Sequence, residues 1–121
     1  RVRTTATSSP LHALTMLNDP TWVEASRALA QRVWSAGDDE RRLAQAYRLV
    51  LGRAPTGAEP RLLARLLAGQ RAIYAADPKA AAALLAHGES KRDPAIPAAE
   101  HAALTAACLA LFNLDAAITR D

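Results

Sequence analysis

Apolar side chains recur along this chain at helical spacing, and nowhere do they alternate as a strand requires. After a polar, Thr/Ser-rich lead-in over residues 1–9, Leu11, Leu14 and Leu17 follow Pro10 and predict a short helix ending at Asn18. Asp19-Pro20 then opens a second helix. An aspartate accepts a hydrogen bond from a free amide of the first turn, and a proline there lacks an amide that would go unpaired. Trp22, Ser26, Leu29 and Val33 line one face of this helix, and Gly37 stops it. Asp38, Asp39 and Glu40 next place negative charge at the positive end of a third helix. Its stripe is Leu43, Tyr47, Val50 and Leu51, and Gly52 ends it, with Arg48 and Arg53 near its negative end.

Thr56-Gly-Ala-Glu59 has the form of a capping box, although Pro60 in the same turn allows the start to shift. Leu62, Leu63, Leu66, Leu67, Gln70, Ile73 and Tyr74 follow as the clearest amphipathic pattern in the chain. Asp77-Pro78 repeats the cap-plus-proline device before a short Ala-rich helix through Leu84 and Leu85. Residues 87–97 read as a charged loop broken by Gly88, Pro94 and Pro97. The last helix starts near Pro97 and carries Leu104, Cys108, Leu111, Phe112, Leu114 and Ile118. The expectation is an all-α fold: one domain over 1–121, a compact bundle of five or six helices with the C-terminal helix central.

Composition narrows this in two ways. Half of the residues are hydrophobic but only 4% are aromatic, so the core is to be built from Leu, Ala, Val and Ile. Fifteen Lys+Arg against twelve Asp+Glu give a net charge of +3, but the basic residues are interleaved with acids. A nucleic-acid interface usually gathers its charge into a stripe, so that function ranks third. The single Cys108 cannot close an intrachain disulfide, and no CxxCH is present to attach a haem. No apolar run is seen to approach the roughly 18 residues of a membrane span, and no signal peptide is visible. The first residue is Arg1, so the chain is expected to be a piece of a longer protein.

Residues with chemical potential are few. The loop residues His87, Glu89, Ser90, Lys91, Arg92 and Asp93 place a histidine, a serine and two acids close in sequence. A nucleophilic triad is defined by mutual geometry, which proximity in sequence does not supply, and no G-x-S-x-G elbow is present. His87, Glu89, Ser90, Arg92 and Asp93 are therefore binding candidates, and no residue is assigned as catalytic. His12, His87 and His101 form no H-x-x-x-H pair, so no metal site is expected. Trp22 is expected in the core and Trp34 partly buried, and Cys108 reads as a small core hydrophobe. Asn113, Asp115, Thr119 and Arg120 give the last helix a polar side, with Asp115 and Thr119 one turn apart and Arg53 or Arg120 as partners. With Asn18 and Asp19, they suggest a structural polar network.

Three segments then carry a resemblance. Pro10-Leu-His-Ala-Leu-Thr-Met-Leu-Asn-Asp-Pro20, Leu49-Val-Leu-Gly-Arg-Ala-Pro-Thr-Gly-Ala-Glu59 and Leu111-Phe-Asn-Leu-Asp-Ala-Ala-Ile-Thr-Arg-Asp121 occur in this order. Together they resemble the C-terminal part of the planctomycete domain of unknown function found in planctomycete cytochrome c domain-containing proteins. Gly88-Glu89-Ser90 fits the same pattern. The sequence departs from it at His12, where a glutamine is usual, at Leu104, where a tryptophan is usual, and at Ala116, often acidic. The resemblance implies an exported, multidomain parent with a cytochrome c module upstream. Any haem would sit in another segment, so this stretch itself is expected to carry no cofactor. No reaction is implied.

The leading expectation is a non-catalytic helical module that packs against the remainder of its parent chain or a protein partner. Such a module should expose apolar surface where the partner sits. The competing expectation is a contribution to a carbohydrate-processing active site through Glu89, Asp93, Asp115 or Arg53. That chemistry needs two carboxyls roughly 5–9.5 Å apart across a cleft.

Overall fold

The computed structural model describes residues 20–88 and 91–119. The helix expected at 10–18, with His12, Asn18 and Asp19, lies outside the described residues, as do Glu89, Ser90 and Arg120. Among the described residues there are five helices: α1 (Pro20–Trp34), α2 (Asp39–Leu51), α3 (Glu59–Ala76), α4 (Pro78–Leu85) and α5 (Ala98–Thr119). No strand occurs among the described residues.

The helix ends follow from local chemistry. Asp38 accepts from the Arg41 amide at 3.0 Å and starts α2, and Gly52 closes it in the left-handed region at φ 82°. Asp77 accepts from the Ala80 amide at 3.0 Å and starts α4. At α3 the capping box forms only in part. The Glu59 carboxylate accepts from the Thr56 amide at 2.8 Å, but the helix begins at Glu59 with Ala58 as its cap residue. Pro60 explains the shift, since it supplies the fixed φ of a first turn and places that turn after Ala58.

α5 packs on all four other helices and is the hub of the bundle. The core joins Ala30 and Val33 of α1, Leu43, Ala46 and Tyr47 of α2, Leu63 and Leu67 of α3, and Leu104, Cys108 and Leu111 of α5. Ala81 and Leu85 of α4 meet Ala102 in a smaller cluster. Ala103 and Ala107 are fully buried, and their small side chains let α5 lie close to its neighbours. Each buried leucine contributes roughly 1.5–3 kcal/mol relative to exposure, which is what a core this poor in aromatics must rely on.

Several stripe positions differ from the sequence expectation. Trp22 is half-buried and tilts against Phe112, with ring centroids 5.3 Å apart, while Val23, Arg27 and Ala30 take the inner face of α1. Leu62 and Ile73 of α3 are exposed, as are Leu114 and Ile118 of α5. Trp34 is partly buried as expected, with the Arg42 guanidinium 3.6 Å from its ring centroid.

A further correction concerns α5 itself. Its 22 residues are long and apolar enough to cross a membrane by length and composition. In the sequence this is masked because His101, Thr105 and Asn113 break the apolar run without adding charge. All three are buried, and a helix enclosed by four others must be apolar on nearly every side.

Candidate functional site

The described part of the segment between α4 and α5, residues 91–97, makes polar contacts to both α1 and α5. Arg92 turns inward. Its Nη1 donates to the carbonyls of Asp93 at 2.6 Å and Ile96 at 2.9 Å, and lies 3.4 Å from Nδ1 of His101. Asp93 holds the turn with its carboxylate, which accepts from the Ala95 amide at 2.9 Å. Its own amide donates to Oε1 of Gln31 on α1 at 2.9 Å. Arg27, 4% exposed, donates from Nη1 to the Leu85 carbonyl at 2.8 Å, which ties α1 to the end of α4. Its Nη2 lies 3.9 Å from Glu24. Gly88, at φ 85°, stands where a Cβ would run into the Glu24 side chain.

Beside this junction is a cleft of about 450 Å³, bordered by Arg27, Gln31, Arg32, Trp34, Lys91 and Asp93. A second groove, of about 540 Å³, lies between α2 and α3 and is walled by Leu43, Pro55, Pro60 and Leu63 with Asp39 and Glu40 at its edge.

The binding candidates divide accordingly. Arg92 and Asp93 shape the loop and anchor it. His87 is engaged elsewhere, with Nδ1 3.1 Å from the Leu84 carbonyl. His87 and Asp93 are thus held by different partners, and Glu89 and Ser90 lie outside the described residues. For the carbohydrate reading, Asp93 precedes α5 and Asp115 lies near its far end. The eighteen residues from Ala98 to Asp115 span on the order of 25 Å of helix, so these carboxylates cannot flank one glycosidic bond. Among the described residues no three His, Cys, Asp or Glu side chains gather as a metal site would need.

The expected network on α5 takes a different form. Asn113 is buried and donates to the Leu109 carbonyl of its own helix at 2.9 Å, while its Oδ1 finds no partner among the described residues. Thr119 donates back to the Asp115 carbonyl at 2.8 Å. Arg53 reaches Glu59, not Asp115, with two bonds of 2.9 Å each. The Tyr47 hydroxyl donates to the same carboxylate at 2.7 Å, and the Arg53 guanidinium sits 5.1 Å from the Tyr47 ring centroid. Arg53, then the Thr56 amide and the Tyr47 hydroxyl, hold the Glu59 carboxyl well below the ordinary carboxylate range. A further polar tie between helices rests on Arg71 and Glu100, which no pattern in the sequence marked. Arg71 of α3 bonds Glu100 of α5 through Nε at 2.9 Å and Asp39 of α2 through Nη2 at 3.0 Å.

Two environments restrict chemistry further. Burial pushes the Cys108 thiol up to about 12, so it stays protonated and unreactive at neutral pH. Burial first, then the charges of Arg92 and Arg27, lower the His101 imidazole from its ordinary 6.5, against an opposing bond to the Arg27 carbonyl. Arg27, Arg42, Arg53 and Arg71 stand in ion pairs with acids, which fits the interleaved charge of the sequence.

No curated protein and no solved structure matches the chain. A family model does match, over residues 1–67, which include the first two of the three segments that carried the resemblance. That match covers more than half of the chain, and the chain belongs to the PSD1 family, described as a protein of unknown function (DUF1553).

Proposed function

We propose that this chain is a non-catalytic helical module that packs against the remainder of a longer parent chain, in an exported, cytochrome c-linked protein whose haem would lie in another segment. The observation that carries the reading is at the end of α5. Leu114 is 41% exposed and Ile118 59%, and with exposed Ala117 they form an apolar strip over its last two turns. Large aliphatic side chains repeated at one-turn spacing on a solvent-facing strip are what a docking surface offers. The α5 end also lies beside the start of α1, as the Trp22–Phe112 contact shows, so the strip is close to where the preceding sequence enters.

Calorimetric titration of the chain against the preceding part of the longer protein tests this. Binding is expected, and Leu114→Asp with Ile118→Asp should weaken it at least tenfold while leaving the melting temperature nearly unchanged, because both residues are exposed. Absence of binding, or binding indifferent to both substitutions, contradicts the proposal.

A further inference from the structure

His101 stands at the first turns of α5 with no exposed surface, and both ring nitrogens have partners. Nε2 lies 3.1 Å from the Arg27 carbonyl, and Nδ1 lies 3.4 Å from Nη1 of Arg92, a long contact. A carbonyl oxygen only accepts and a guanidinium only donates, so the partners dictate the tautomer: Nε2 carries the proton and Nδ1 is bare. A second proton on Nδ1 would set a donor against a donor and a cation against the Arg92 cation, inside the protein. The groups facing the ring come from each side of the junction. α1 brings Arg27, which is paired with Glu24, and the loop brings Arg92 and Asp93. α4 brings the Leu85 carbonyl to Arg27, and its one ionisable side chain, Lys79, is exposed. Neighbouring Glu100 is engaged by Arg71 of α3. Asp93 alone among the nearby charges favours an imidazolium, and it is outweighed by burial and the two arginines.

We propose that His101 is a proton-operated latch for the 91–97 loop. The neutral ring with its bare Nδ1 lets Arg92 sit against it, where the guanidinium closes the turn on the Asp93 and Ile96 carbonyls. Protonation in acid releases that turn from α1 and α5 and opens the neighbouring cleft beside Gln31, Trp34 and Lys91. The latch is independent of the docking strip on α5.

The direction in pH follows from the lowered imidazole. A histidine harder to protonate when folded contributes its full stability above 6.5; that contribution shrinks as pH falls below 6.5, and the contact itself is lost as pH falls through the lowered folded-state value. Nitrogen NMR of the full chain should show His101 as the Nε2–H tautomer at neutral pH. The Asp93 amide bonds Gln31 and the Ile96 amide bonds the Asp93 carbonyl, so both report on docking. Their exchange protection should fall at least tenfold in step with His101 protonation, while Leu63 and Leu67 in α3 keep theirs. In His101→Gln the amide supplies one donor and one acceptor but cannot titrate, and the loop should stay protected in acid. In Arg92→Gln the loop should be unprotected at every pH, and His101 should titrate closer to 6.5. Loop protection that ignores His101 protonation, or falls together with that of α3, overturns the proposal. So does an acid transition that persists in His101→Gln. Should that variant fail to fold, an unchanged His101 titration in Arg92→Gln overturns it equally.

Discussion

Glu59 shows how much a single half-buried side chain can organise. Its two oxygens take donors from Arg53, Thr56 and Tyr47, which together bind the end of α2 to the start of α3. A carboxyl held below its ordinary 4.5 contributes fully above that value, and the contribution is lost as pH falls through it toward the folded-state value. Glu59→Gln should therefore flatten the acid side of the stability profile. The melting temperature of the variant is expected to drop less between pH 7 and pH 3 than that of the parent chain, and equal drops would count against this role. The capping pattern made Glu59 legible in the sequence. Its partner Arg53 was legible as a residue but not as a pair, because the sequence offered it to Asp115 and Thr119 and only folding brings it to Glu59. Arg27 and Arg71 were readable in principle. Each falls on an inner helix face, Arg27 one turn from Val23 and Ala30, Arg71 one turn from Leu67 and Tyr74. A charge on an inner stripe must find a partner or leave the core, and both find one.

Among the elements, the helix starts were the most readable feature, since caps act within a few residues of themselves. α4 is the sharpest case: eight residues are too few to hold a helix on propensity alone, and Asp77 supplies its first-turn acceptor. Asp77→Ala should cost about 1 kcal/mol in urea unfolding. An unaltered midpoint would mean that packing of Ala81 and Leu85 alone sets α4. What periodicity could not show is how far a helix outlasts the neighbours that cover it. α3 and α5 keep apolar residues through Ile73 and Ile118 although both side chains face solvent. The pattern gives the phase of a helix, whereas its cover depends on elements distant in sequence.

For the whole molecule, the central place of α5 was legible because its apolar content exceeds that of every other segment. Its likeness to a membrane span was masked by His101, Thr105 and Asn113, and its four packing partners account for the apolar content. The hub assignment has a direct energetic consequence. Leu104, 2% exposed, should cost about 2–5 kcal/mol on replacement by alanine. Leu62, 58% exposed, should cost within about 0.5 kcal/mol for the same change. Similar losses at both sites, read by chemical denaturation, would contradict the burial pattern. The candidate site was legible only as a polar loop. Which of its residues turn inward depends on His101, Gln31 and Arg27, and these come from two helices that the loop's own sequence does not mention.

Whether the α5 strip is a docking surface can be decided at one atom. Ile118→Cys places a thiol on the strip, and buried Cys108, its thiol raised to about 12, stays silent beside it. The alkylation rate at position 118 would be measured in this chain and again within the longer protein. At least a tenfold slower reaction in the longer protein is the expected result. Equal rates would mean that nothing covers the strip, and the docking proposal would be wrong.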